Sequence, residues 1–143
     1  DIMSGHSKIC GILIENILSG HHIQASIIGI GLNVNQLTFN NLPNVSSLKL
    51  LLGKTLDLDE LLISIVENLK KLLGNQSKGG HNRLFEFYES RLFRKDKPST
   101  FKNQDDEMFM GFIKGVSSTG KLKILMEDNI MKEFNLKEVQ LLY

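Results

Sequence analysis

Residues Lys8 to Glu15 read KICGILIE, and Ser26 to Asn35 answer them with SIIGIGLNVN. Both runs have strand length and consist of β-branched and apolar residues, with small residues where something must approach the backbone closely. In the first, Lys8 precedes Gly11 by three residues; in the second, Gly29 and Gly31 flank Ile30, and Asn33 follows. The pair predicts two neighbouring strands that present one ammonium, one amide and bare backbone to an anionic ligand. The first run is apolar on both faces from Ile9 to Ile14, the pattern of a strand buried inside a layered domain. Ile17 to Gln24, with Ser19, Gly20, His21 and His22, reads as the connecting turn. So short a link favours antiparallel pairing, since parallel strands need a crossover of about a dozen residues or more.

Working outward, Asp1 to Ser7 is short and polar, and Gly5 and His6 mark a turn before the first strand. Beyond Asn35 the pattern becomes helical. Ser46 or Ser47 can cap a short helix that runs through Leu52 and stops at Gly53. Asp57 with Glu60 three residues later opens a longer helix, whose apolar stripe runs from Leu58 through Leu61, Leu62, Ile65, Val66 and Leu69 to Leu72 and Leu73. Asn75 to Gly80 reads as a flexible link, and a further helix is expected from about Asn82 to Phe93, with Phe85, Phe87 and Tyr88 in its core-facing part. Pro98 within Lys95 to Ser99 marks a domain boundary. After it, alternation at Met108, Met110 and Phe112 and at Leu122, Ile124 and Met126 gives short strands. Turns at Ser118 to Gly120 and at Asp128 and Asn129 separate them, and Ile130 to Phe134 and Val139 to Leu142 complete a set of five with Phe101. The expectation is an α+β chain: residues 1–95 form a partial mixed β-sheet with packed helices, and residues 96–143 a small all-β, SH3-like barrel.

Composition limits what such a chain can do. Its 143 residues, 41% hydrophobic, suffice for one compact domain or part of one with a small second domain. A net charge of +1 with scattered cations gives no reason to expect a nucleic-acid groove. The single cysteine, Cys10, cannot form an internal disulfide, and no apolar run approaches the roughly 20 residues of a membrane span, so a soluble, cytoplasmic protein is expected. The opening at Asp1, without methionine, reads as a fragment or a processed chain. Adjacent His21 and His22 cannot readily chelate one metal, and Asp105, Asp106 and Glu107 read as a solvated loop, so no metal site is assigned. GIGLNV half-matches a dinucleotide fingerprint, but the third glycine is missing and no helix follows.

KICGILIE, the Gly29 to Asn33 segment GIGLN and the closing GFIKGVSSTGKLKILMED of Gly111 to Asp128 resemble the biotin protein ligases, which adenylate biotin and attach it to a lysine of a carrier protein. The resemblance covers the whole chain, as the later half of the catalytic domain followed by the C-terminal domain. It implies a function in forming biotinyl-5'-AMP from biotin and ATP, with Mg2+, and in passing biotin to the biotin carboxyl carrier protein of acetyl-CoA carboxylase. It implies that Lys8 contacts the biotin carboxylate and the phosphate it attacks, and that Gly11 borders biotin. Ile12, Gly29, Gly31, Leu32 and Asn33 would line ATP. Asp1 would be the last residue of the family's Lys-Trp-Pro-Asn-Asp segment, at the reacting centre. The family's Gly-Arg-rich loop and the rest of that segment do not occur in this sequence, so the chain alone is expected to lack a complete active site and to be inactive.

The chemistry agrees. Joining a carboxylate to the α-phosphate of ATP brings two anions together, so the barrier is largely electrostatic and positional. A lysine on a rigid strand can touch both groups, and each such charge-assisted hydrogen bond is worth ~1.5 to 3 kcal/mol. Two rivals have their own tests. A lipoate-ligase-like acyl-adenylate enzyme would be separated by a biotin titration, and a non-catalytic partner-binding module would bind neither substrate. A sheet short of its neighbouring strands would expose an edge, which permits a homodimer.

Overall fold

The computed structural model describes residues 1–40, 42–74 and 80–143. Within them the chain is α+β, with a three-stranded sheet, a five-stranded sheet and three helices. It divides into two compact units, Asp1–Lys71 and Leu72–Tyr143.

In the first unit, strands β1 (Ile2–Ser4), β2 (Ser7–Ser19) and β3 (His22–Leu32) lie side by side in that order, both pairings antiparallel. Gly5 and Gly20, at φ +58° and +61°, open the two-residue turns between them, a conformation glycine adopts without a Cβ penalty. The connection expected over Ile17 to Gln24 is thus mostly strand, and only Gly20 and His21 turn. Helix α1 (Leu48–Leu52) starts where Ser47 Oγ accepts the Leu50 N–H and stops at Gly53, φ +71°. Helix α2 (Leu58–Gly74) begins where Asp57 Oδ1 accepts the N–H groups of Asp59 and Glu60, each at 2.9 Å. Of the link read over Asn75 to Gly80, residues 75–79 lie outside the described residues.

Cys10 is buried, but the expectation of a strand covered on both faces is not met: Ile12, Leu13 and Ile14 are 44%, 62% and 56% exposed. The β-branched sequence dictates an extended backbone. Burial needs a covering layer as well, and none of the described residues of this unit supplies one. The stripe of α2 is only partly covered: Leu61, Ile65 and Leu69 are half-buried, and no residue of the helix is fully buried.

The second unit holds helix α3 (Gly80–Ser90) and strands β4 (Pro98–Asn103), β5 (Met108–Val116), β6 (Leu122–Met126), β7 (Met131–Phe134) and β8 (Val139–Leu142). Phe87 and Tyr88 of α3 are exposed rather than core, and the Arg91 guanidinium lies over the Phe87 ring at 4.3 Å. Pro98 takes the first position of a strand, where its missing N–H costs least. Phe101, Ile113 and Ile124 form the core, and Phe109 stacks between Phe101 and Phe134. Gly111 is required by packing: a Cβ there would stand 2.6 Å from Ile124 Cγ2 and 2.9 Å from the Leu125 carbonyl oxygen. Glu89 ties α3 to a bulge in β5. Its Oε1 accepts the Val116 N–H at 2.8 Å, in space that a Cβ on Gly115 would fill.

The five strands expected for a small SH3-like barrel are present in the order β7-β6-β5-β4-β8, but no ladder joins β7 to β8, so the sheet is open and a closed barrel is not confirmed. All four pairings are antiparallel, so the two edge strands β7 and β8 run in the same direction. Closing the ring would require a parallel ladder between them. Residues 135–138, all that joins them, are far shorter than the crossover a parallel pair needs.

Candidate functional site

Strict alternation would put Lys8 and Gly11, three residues apart, on opposite faces of β2. The register explains why they share one. β1 meets β2 through Met3 opposite Lys8 and Ser4 opposite Ser7, then through Ile2 opposite Cys10. One residue of β2, Ile9, is therefore extra, a bulge that re-aims the side chain beside it. Lys8 Nζ comes to 3.0 Å from Asp1 Oδ1, and both atoms stand 3.7 Å from where a Cβ on Gly11 would be.

Gly31 lies opposite Gly11 on β3, and Gly29 opposite Leu13, so the three glycines share the face onto which Lys8 and Asp1 project. None of the three has a left-handed φ, and a Cβ on any of them would meet its nearest neighbour at 3.6 Å or more. Neither conformation nor packing within the chain demands glycine there, although glycine weakens a strand. The bare backbone leaves room for a group to approach this face closely. The Lys8–Asp1 pair, with side chains 38% and 50% exposed, is in contact with water and is worth at most about 1 kcal/mol. An incoming carboxylate or phosphate can exchange with Asp1 at the ammonium at little cost.

Lys8 is also held through its backbone. Its N–H donates to the Asn44 carbonyl at 2.7 Å, and its own carbonyl accepts the Ser46 N–H at 2.9 Å. The Asn33 N–H donates to the Ile9 carbonyl at 2.8 Å, and Asn33 Nδ2 donates to the Ser46 carbonyl at 3.1 Å. Asn35 makes a two-way pair with the backbone of Leu56, at 2.9 and 3.0 Å. Buried Ser47 donates to the Gln36 carbonyl while it caps α1. Of the sequence candidates, Lys8, Asp1, Gly11, Gly29 and Gly31 come together on one face. Ile12 and Leu32 sit on the other, opposite Ile30 and Cys10, and the Asn33 amide is engaged by the chain's own loop. Asn35 and Ser46 were not singled out as site residues. The Asn-x-Asn spacing directly after the paired glycines was the available signal.

No family model matches the sequence, and no curated protein matches it either. Solved structures do. The apo biotin protein ligase of Aquifex aeolicus superposes with a TM-score of 0.74 over 96% of this chain, at 23% sequence identity. This is the fold of the biotin protein ligases. A second structure of the Aquifex ligase gives a TM-score of 0.73 at 25% identity over 95% of the chain, and its complex with biotin and ATP gives 0.72 at 25% over 95%. The chain spans 60%, 59% and 56% of these three ligase chains. Within the biotin ligase fold, then, the glycine face with Lys8 and Asp1 belongs to the three-stranded sheet. Among the described residues no three or more His, Cys, Asp or Glu side chains converge to hold a metal, and no helix is long and apolar enough to cross a membrane.

Proposed function

We propose that the chain works as part of a biotin protein ligase, which makes biotinyl-5'-AMP from biotin and ATP and transfers biotin to a lysine of a biotin carboxyl carrier protein. Residues 1–95 carry the catalytic part and residues 96–143 the C-terminal domain. The observation that carries this reading is the face on which Lys8 and Asp1 stand over Gly11, Gly29 and Gly31, three glycines that the chain itself does not require. The complex of the Aquifex ligase with biotin and ATP supports the choice of ligands.

On this reading the Lys8 ammonium spans the biotin carboxylate and the α-phosphate, offsetting the repulsion between two anions that must meet. The glycine floor admits biotin and the nucleotide close to the backbone, with Ile12, Leu32 and Asn33 backing that floor. Magnesium would be carried mainly by the phosphates of ATP, as it commonly is. Calorimetric titration of the chain with ATP and magnesium, then biotin, tests this. Lys8→Ala should weaken ATP binding at least tenfold, the loss of one charge-assisted contact, with an unchanged circular dichroism spectrum. Binding that is indifferent to Lys8→Ala overturns the assignment.

A further inference from the structure

Lys8 reaches the glycine face only because β2 bulges at Ile9, and a bulge persists only if the backbone on either side of it is paired. On one side that partner is β1, three residues long. On the other it is the segment Asn44 to Ser46, which belongs to no helix or extended strand and which grips both the N–H and the carbonyl of Lys8. Asn33 touches both the bulge and the segment that grips Lys8. Its backbone N–H holds the carbonyl of Ile9, the extra residue, and its side-chain amide holds the carbonyl of Ser46.

We propose that Asn33 is a positioning residue for Lys8: its amide fastens the Asn44 to Ser46 segment against β2, and so keeps the bulge that turns the ammonium onto the face of Gly11. The value of that position for catalysis rests on the ligase function proposed above; the clamp itself does not. Asn35 provides the control. It makes the same kind of side-chain-to-backbone contact two residues on, but to Leu56, which has no bond to Lys8.

Trace acetylation with acetic anhydride, read by mass spectrometry at each lysine, reports how Lys8 is held without any substrate. Asn33→Ala should change Lys8 labelling relative to Lys70 in the same molecule by roughly fivefold, the equivalent of one hydrogen bond, while Asn35→Ala leaves the ratio unchanged. No change in Asn33→Ala, or equal changes in both variants, overturns the proposal. Amide exchange in the unsubstituted chain decides the matter if Asn33→Ala does not fold: the N–H groups of Lys8 and Ser46 should be protected, and exchange at exposed-peptide rates refutes the clamp. Where ATP binds, a double-substitution cycle separates positioning from direct contact. In the Lys8→Ala background Asn33→Ala should have no further effect, whereas additive losses show that Asn33 touches the nucleotide itself. Failure of ATP to bind this chain accords with the incomplete site expected of it and leaves the labelling result to decide the proposal.

Discussion

Replacing Gly11 by alanine should leave the fold at least as stable and still impair the site. A new Cβ would meet Asp1 Oδ1 and Lys8 Nζ at 3.7 Å and Lys8 Cε at 3.8 Å, all ordinary van der Waals distances. The φ of Gly11 is not left-handed, so alanine enters without strain. The unfolded chain meanwhile loses the freedom of a glycine, which at a compatible position stabilises by about 0.4 to 1 kcal/mol. In a unit of this size that raises the melting temperature by roughly 2 to 8 °C. The methyl group would occupy the floor that a ligand must approach, and overpacking of this kind costs about 1 to 3 kcal/mol, or roughly five- to a hundredfold in affinity. Gly111→Ala is the opposing control: its Cβ would lie 2.6 Å from Ile124 Cγ2, and it should destabilise by about 1 to 3 kcal/mol. Thermal unfolding followed by circular dichroism, with calorimetric titration of ATP, measures both quantities. A marked drop in melting temperature for Gly11→Ala would show that the chain itself needs the glycine, and the inference of an outside ligand would fail. A stable variant with undiminished affinity would equally remove the ligand from this face.

Two further outcomes concern the second unit. Glu89→Ala removes the acceptor of the partly buried Val116 N–H and should cost about 1 to 3 kcal/mol in urea unfolding, whereas Glu89→Gln keeps an acceptor and should cost less; equal losses would place the contribution in the charge instead. Asp96, hydrogen-bonded by Lys114, Asp106, hydrogen-bonded by Lys102, and Glu138, hydrogen-bonded by Asn135, are all held below the ordinary carboxylate range. Because their folded values are the lower ones, they stabilise above about pH 4 and lose that contribution as the pH falls through those values, so melting at pH 3 should occur below melting at pH 6; equal midpoints would refute this.

Much of the secondary structure was legible because local chemistry decides it. Ser47 and Gly53 bound α1, Asp57 opens α2, and the short link between the two β-branched runs already favoured antiparallel pairing. Two things were not legible. The β-branched runs announce strands but not what covers them, so Leu13 and Ile14 looked like core and are exposed. Closure of the second sheet depends on the direction of its edge strands, which follows from the order of pairing and not from alternation within any one strand. In the site, residue types pointed to Lys8 and the glycines. Their common face depends on a one-residue register shift, which a period of two cannot reveal. The tie from Asn33 to Ser46 spans thirteen positions and has no local signature.

The hairpin of β2 and β3 behaves as a beam fixed at one end. At Lys8 to Cys10 it is joined to β1 on one side and to Asn44 to Ser46 on the other, whereas from Gly11 to the Gly20 turn β3 is its only ladder partner among the described residues. A two-stranded ribbon alone is marginal in water, so its stiffness is borrowed from the fixed end. Displacement of a beam grows with distance from its support, and Lys8 stands at the support itself. Whatever load the far turn carries, the backbone of Lys8 moves least.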